Sequence, residues 1–364
     1  MAKRTLHKKR KNKQKTLKIK GGTIIEYNIL SNEGFNASIV IPNVPFISNN
    51  LITKIGIYDE ILKEYNSYMT IKKINNNQDE YDKMTIKVLC NPQPIMHEIN
   101  FDLFKLINKN TDLFVSNEEK KVKRTVIKEQ YTHGLTMKCG NISLMKTAIN
   151  KKSDLFTILN KIKPIIESLI EINKNGYIHG DIKLNNILLF EENYYLIDLG
   201  TFIKNQNFKE DATNNKNALS IYLEHIPFES QYINNLPYIE NNELFDINKK
   251  YYMILLSPFI NIIKDKFNEN DFITKYNNDI NNTLQYSIIK KDEFIEQLFN
   301  KFDVFSIGLV IINILYIYNE KINNENINII IQLYFLLVNQ VFTYNLNERI
   351  TMEEFYNKYN NIII

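Results

Sequence analysis

Tryptophan is absent from this chain of 364 residues, cysteine occurs only at Cys90 and Cys139, and there are just 10 glycines and 8 prolines. Two thiols cannot frame a disulfide-stapled secreted scaffold or a four-ligand zinc site, so a reducing compartment is the natural setting. So little glycine and proline excludes collagen-like and mucin-like chains. No apolar stretch follows the basic start, which removes a secretory signal. The longest apolar run, Phe305 to Tyr318, has about 14 residues. Crossing a bilayer takes roughly 18 to 20, so no membrane association is expected and the run reads as a buried core helix. Acid is missing from residues 1 to 20, which hold ten Lys or Arg.

What is present is globular in character, with 44% hydrophobic and 24% charged residues and an aromatic complement of 22 Tyr and 21 Phe. That length and composition can bury a sizeable core, in two modest domains or one two-lobed unit. The overall charge of +4 hides an asymmetry, because the basic leader leaves a net −6 on the rest. Asn occurs 54 times. Asn, Ile, Lys and Tyr share AT-rich codons, so part of this bias reflects the genome.

The first part of the chain is strand-like. Thr23 to Leu30 and Ser38 to Pro42 flank turn-forming residues Ser31 to Asn36, a hairpin signal, and Leu51 to Ile57 is a third strand. Tyr58 to Ile74 has helical spacing, with further strands expected at Met84 to Leu89 and Leu135 to Met137 and a Lys-rich loop around Asn108 to Arg124. After Gly140 helix takes over. Asp154 to Asn173 carries Leu155, Ile158, Leu159, Ile162, Ile165, Ile166, Leu169 and Ile172 on one face, with Ser153 as N-cap and Gly176 just past the end. The expectation is an α+β fold: a basic disordered tail over 1–22, a small β-rich lobe over 23–138, and a larger helical lobe over 139–364.

Chemistry concentrates in YIHGDIKLNNILLFEENYYLIDLG, residues 177 to 200. Two apolar runs, Ile187 to Phe190 and Tyr194 to Ile197, flank the turn Glu191 to Asn193, which predicts a tight antiparallel hairpin. A hairpin brings its ends together, so Asn186 and Asp198 should lie side by side, offering an amide oxygen and a carboxylate to Mg²⁺ alongside substrate phosphates. Asp181, five residues before Asn186, is placed to receive a hydroxyl proton, and Lys183 to neutralise charge on a transferring phosphoryl group.

The spacing H-x-D-x-K-x-x-N, with D-x-G twelve residues later, resembles the catalytic loop and metal-binding motif of the protein kinase superfamily. The resemblance implies a two-lobed kinase fold and transfer of the γ phosphoryl of MgATP to Ser or Thr hydroxyls of protein substrates. It assigns Asp181 and Lys183 to catalysis and Asn186 and Asp198 to Mg²⁺. An isolated lysine inside the apolar strand ITKIGI asks for a reason, and Lys54 stands where the family holds the α and β phosphates. Its carboxylate partner is Glu64, with Glu60 as the alternative one turn earlier. In the glycine-loop register Asn32, Gly34 and Ala37 occupy the glycine positions and Ile39 the valine position, so only the middle glycine survives. Nucleotide is then held less tightly, or the loop bends differently.

Met137 falls at the gatekeeper position, and Lys138, Cys139 and Gly140 at the hinge that reads adenine. Asp303 resembles the buried aspartate that receives catalytic-loop amides, and Arg349 the late arginine that pairs with a Glu after the activation segment, here Glu229. The family's His-Arg-Asp reads His179-Gly180-Asp181, so the cation that clamps a phosphorylated segment is missing and activity should not depend on phosphorylation of Thr201, Thr213 or Ser220. Glu229 to Asp303 spans 74 positions, several times the family's gap, which implies a helical insertion over about 232–300. HGDIK, the NVPF segment and this insertion resemble kinases encoded by large DNA viruses, implying a host-cell cytoplasmic setting or, through the basic tail, the nucleus. The tail has three readings: a nuclear-localisation or nucleic-acid patch, a docking arm for an acidic partner, or a solvated terminus. It lacks the interleaved aromatics that stack bases, so no specific nucleic-acid partner is expected. Two rival readings of the whole are a pseudokinase scaffold and a small-molecule kinase of the aminoglycoside or choline type.

Overall fold

Leu51–Ile57 is rich in β-branched residues, which favour extended backbone. In the computed structural model it is a central strand of a six-stranded antiparallel sheet. The structure describes residues 15–18, 24–31, 37–41, 51–77, 86–88, 95–98, 131–138, 142–150, 153–213, 227, 229–230, 269–322, 326–343 and 345–363. The chain divides into two compact units, Met1–Met69 with Cys90–Cys139, and Thr70–Leu89 with Gly140–Ile364. Elements of both kinds make it an α+β protein.

In the first unit the elements are β1 (Lys15–Lys18), β2 (Ile24–Ser31), β3 (Ala37–Ile41), β4 (Leu51–Ile57), helix α1 (Tyr58–Asn77), which continues past Met69, β5 (Ile95–Glu98) and β6 (Tyr131–Lys138). The sheet order is β1-β2-β3-β4-β6-β5. Thr53 and Thr136 face each other across β4 and β6, their buried hydroxyls 2.9 Å apart, a cross-strand polar pair between apolar neighbours. Along α1, Ile61, Glu64, Tyr68 and Ile71 are buried at helical spacing.

Three expectations need adjusting. The end of the basic leader is a strand, β1, paired with β2 at the sheet edge, where lysines are a common device against further strand addition. β5 had no strong alternation to announce it. Of the strand expected at Met84 to Leu89, only a bridge from Val88 to Leu196 is present among the described residues. The turn over 32–36, the loop over 108–124 and the junction over 139–141 lie outside the described residues.

The second unit holds β7 (Ile142–Ser143), α2 (Leu144–Ile149), α3 (Leu155–Lys174), β8 (Tyr177–Ile178), β9 (Ile187–Phe190), β10 (Asn193–Leu196), β11 (Ile203–Lys204) and α4 (Asn205–Thr213). It continues with α5 (Glu269–Ile289), α6 (Lys291–Asn300), α7 (Phe302–Tyr318), α8 (Ile327–Leu336), a π turn over Leu337–Val341 and α9 (Met352–Ile362). The apolar face of α3 is fully buried, and α7 is buried along most of its length. Asp154, not Ser153, caps α3, its carboxylate accepting the Thr157 N–H at 2.9 Å. Carboxylate and hydroxyl cap about equally well, so the sequence did not separate them. Gly308 in α7 admits the π turn closely, since a Cβ there would stand 2.6 Å from Val341 Cγ1. Within the expected insertion, residues 232–268 lie outside the described residues and the rest forms two helices joined at Lys290. Among the described residues no single helix is long and apolar enough to cross a membrane.

Candidate functional site

The β9–β10 hairpin has a two-residue turn, Glu191 and Glu192, so Asn193 joins the strand rather than the turn. Glu191 takes a positive φ of 54° to close it. Ile187 pairs with Leu196, and beyond the ladder the Ile197 N–H donates to the Asn186 carbonyl at 3.0 Å. Asn186 therefore lies opposite the residue before Asp198. Asp198 sits at φ 63°, in the left-handed region that Asp tolerates better than most side chains.

The loop between β8 and β9 is braced from beneath. Buried Asp303, in the first turn of α7, accepts the backbone N–H groups of His179 at 2.8 Å and Gly180 at 3.1 Å. Burial pushes its carboxyl up, opposed by the His179 imidazole and the two N–H donors. His179 is buried, and its Nδ1 accepts the Asp181 N–H at 3.3 Å. Gly180 takes φ 79°, and a Cβ there would meet the Thr201 carbonyl oxygen at 3.0 Å. The Thr201 hydroxyl donates to the His179 carbonyl at 2.9 Å, tying the turn after Asp198 to this loop.

On that base stands a polar cluster. The Asn186 amide nitrogen donates to the Asp181 carbonyl at 2.9 Å and to Asp181 Oδ2 at 2.8 Å. Both partners are acceptors, so the amide must present its nitrogen to them and its oxygen elsewhere. Lys183 Nζ donates to the same Oδ2 at 2.9 Å, with Asp181 almost wholly enclosed and Lys183 part-exposed. Magnesium takes oxygen ligands, needing only one or two from the protein when phosphate oxygens are present. Asn186 Oδ1 and the Asp198 carboxylate suit that donor set. Among the described residues no three His, Cys, Asp or Glu gather into a larger metal-holding group.

In the first unit Lys54 Nζ lies 2.6 Å from Glu64 Oε2, and Glu64 is 2% exposed. Glu60 is exposed, its carboxyl pushed up by partial desolvation against the charges of Lys54 and Lys63. Of the two alternatives, Glu64 is the hydrogen-bonded partner. Ile39 is the backbone partner of Lys54 across β3 and β4. Met137 is buried in β6 opposite Ile52, its sulfur accepting the Tyr68 hydroxyl at 3.7 Å. Gly34 and Cys139 lie outside the described residues.

Arg349 and Glu229 form a wholly buried pair at 2.5 Å, and Arg349 also donates to the Thr343 carbonyl at 2.7 Å. Burial drives the Glu229 carboxyl up while the guanidinium beside it pulls the other way. Sequence reasoning missed Thr201 as a brace, because a Thr after Gly200 looks like any turn residue. No protein-family model matches the chain, and none of the curated proteins matches its sequence.

Proposed function

We propose that the protein is a kinase of divergent type, with a two-lobed protein-kinase fold, that moves the γ phosphoryl of ATP to Ser or Thr hydroxyls of protein substrates. The observation that carries this reading is the Asp181–Lys183–Asn186 cluster, braced by Asp303 and continued through the β9–β10 hairpin to Asp198. Asp181 is held by two donors on one carboxylate oxygen, which fixes its orientation toward an incoming hydroxyl. The hydroxyl proton passes to that carboxylate as the new O–P bond forms and the bond to the β-bridging oxygen breaks, releasing ADP. Lys183, part-exposed, is free at its outer side to neutralise charge on the transferring group. Asn186 and Asp198 hold magnesium, which supplies charge neutralisation on the phosphates when bound. Lys54, oriented by Glu64, takes the remaining role, holding the α and β phosphates.

A radiolabel assay with magnesium and ATP on a generic basic protein, wild type beside Asp181→Asn, tests the reading. Transfer that vanishes in the variant is the expected result. Nucleotide binding with no transfer replaces it by the scaffold reading, and transfer only to an aminated sugar or an alcohol by the small-molecule one.

A further inference from the structure

Ser168 is a polar residue set into the buried face of α3, 1% exposed. Its hydroxyl donates to the Pro164 carbonyl at 2.6 Å and accepts the Lys87 N–H at 2.8 Å. The Lys87 carbonyl in turn accepts the Leu196 N–H at 2.8 Å, and Val88 bridges Leu196 in parallel. At the near end the Asn75 side chain accepts the Ile86 N–H at 3.0 Å. Ile86 and Val88 are themselves buried. Residues 86–88 thus lie against the edge of β10 that β9 leaves open, joined to it by a single bridge, with both backbone groups of Lys87 bonded.

Leu196 is two residues before Asp198. One edge of β10 is registered by β9, which starts next to Asn186, and the other by a segment pinned at Lys87 by the Ser168 hydroxyl and at Ile86 by Asn75. We propose that Ser168 is a positioning residue for the Asp198 carboxylate, acting through Lys87 and Leu196. It rests on the phosphoryl-transfer reading for what Asp198 does, whereas the hydrogen-bonded relay stands on the geometry alone. Without the hydroxyl, the Lys87 N–H loses its acceptor in a largely apolar setting, and the 86–88 segment has to shift to find another. Asp198, already in a left-handed conformation, then loses the register that aims it.

The test is Mn²⁺ binding, followed by electron paramagnetic resonance with a non-hydrolysable ATP analogue, together with hydrogen exchange at the Leu196 amide. Ser168→Ala should weaken Mn²⁺ about tenfold, the low end of what losing a partner of a metal ligand does, and speed exchange at Leu196. Ser168→Thr, which keeps the hydroxyl, should restore both. Thr351→Ala, a helix-cap change in α9, should lower stability and leave Mn²⁺ binding alone. Wild-type Mn²⁺ affinity in Ser168→Ala, or equal weakening in Thr351→Ala, overturns the proposal while leaving the kinase reading intact. A wild-type protein that binds neither Mn²⁺ nor nucleotide overturns the kinase reading, and the proposal with it. Should Ser168→Ala fail to fold, Asn75→Ala releases the same segment from its other end, and unchanged Mn²⁺ binding there is equally decisive.

Discussion

Gly180 stands where the resemblance would put an arginine, and two features of its surroundings demand glycine. Its φ of 79° costs other residues roughly 1–2 kcal/mol, and the Thr201 carbonyl crowds the place of a Cβ. Gly180→Ala should therefore lower stability by about 1–2 kcal/mol in urea titration and, by displacing Asp181, reduce transfer more than stability. The Arg349–Glu229 pair is more costly to disturb. Removing one partner of a buried pair strands the other, so Arg349→Ala should cost about 3–5 kcal/mol, and the double variant with Glu229→Ala should recover part of that loss. Both were legible as residue types at fixed offsets. Neither the left-handed backbone nor the Thr201 contact was, because both depend on how the loop at Gly180 meets Thr201, which lies on the far side of the hairpin.

Among the elements, α9 shows the clearest local code. Thr351 accepts the Glu354 N–H and Glu354 returns a bond to the Thr351 N–H at 2.8 Å, a reciprocal cap. Thr351→Ala should lower stability by about 1 kcal/mol. Those same bonds hold the Glu354 carboxyl below its ordinary value. Its contribution is then present above the ordinary glutamate range and lost as pH falls through the lowered value. The stability gap between wild type and Glu354→Ala should be full at neutral pH and close in acid, as urea midpoints across that range will read. The α7 helix and the β9–β10 hairpin were readable because apolar runs and turn residues act locally. A strand was expected over Met84 to Leu89, but where the 86–88 segment attaches was not readable, since its hydrogen bonds go to Ser168 and Leu196, far along the sequence. A lone serine inside an otherwise apolar stripe was the one hint, and it is ambiguous without knowing what lies opposite.

For the molecule as a whole, independence from phosphorylation is the sharpest functional expectation. The Thr201 hydroxyl is committed to the His179 carbonyl and that of Thr213 to the Lys209 carbonyl, so a phosphate on either would remove a donor already in use. Ser220 lies outside the described residues. Phosphatase treatment of active protein should leave its rate unchanged, with mass spectrometry verifying the loss of phosphate. The family resemblance anticipated a helical insertion ornamenting the larger half, and its last helix differs from that picture. In α6, Phe294, Ile295, Leu298 and Phe299 are buried in one cluster with Ile178, Phe208, Phe302 and Leu346. Glu296 on the same helix receives the Asn205 amide at 3.1 Å and forms an ion pair with Lys209. That helix therefore clasps α4, the segment that follows Asp198 and Thr201.

Anyone trimming this protein to a minimal core, or replacing residues 231–300 by a short loop, meets that clasp first. Four large apolar side chains, each worth about 1.5–3 kcal/mol when enclosed, would leave with the excised stretch and bare the aromatic ring of Phe208 to water. An excision that stops before Lys291 keeps the keystone; one that runs on to Asn300 takes the arch down with it.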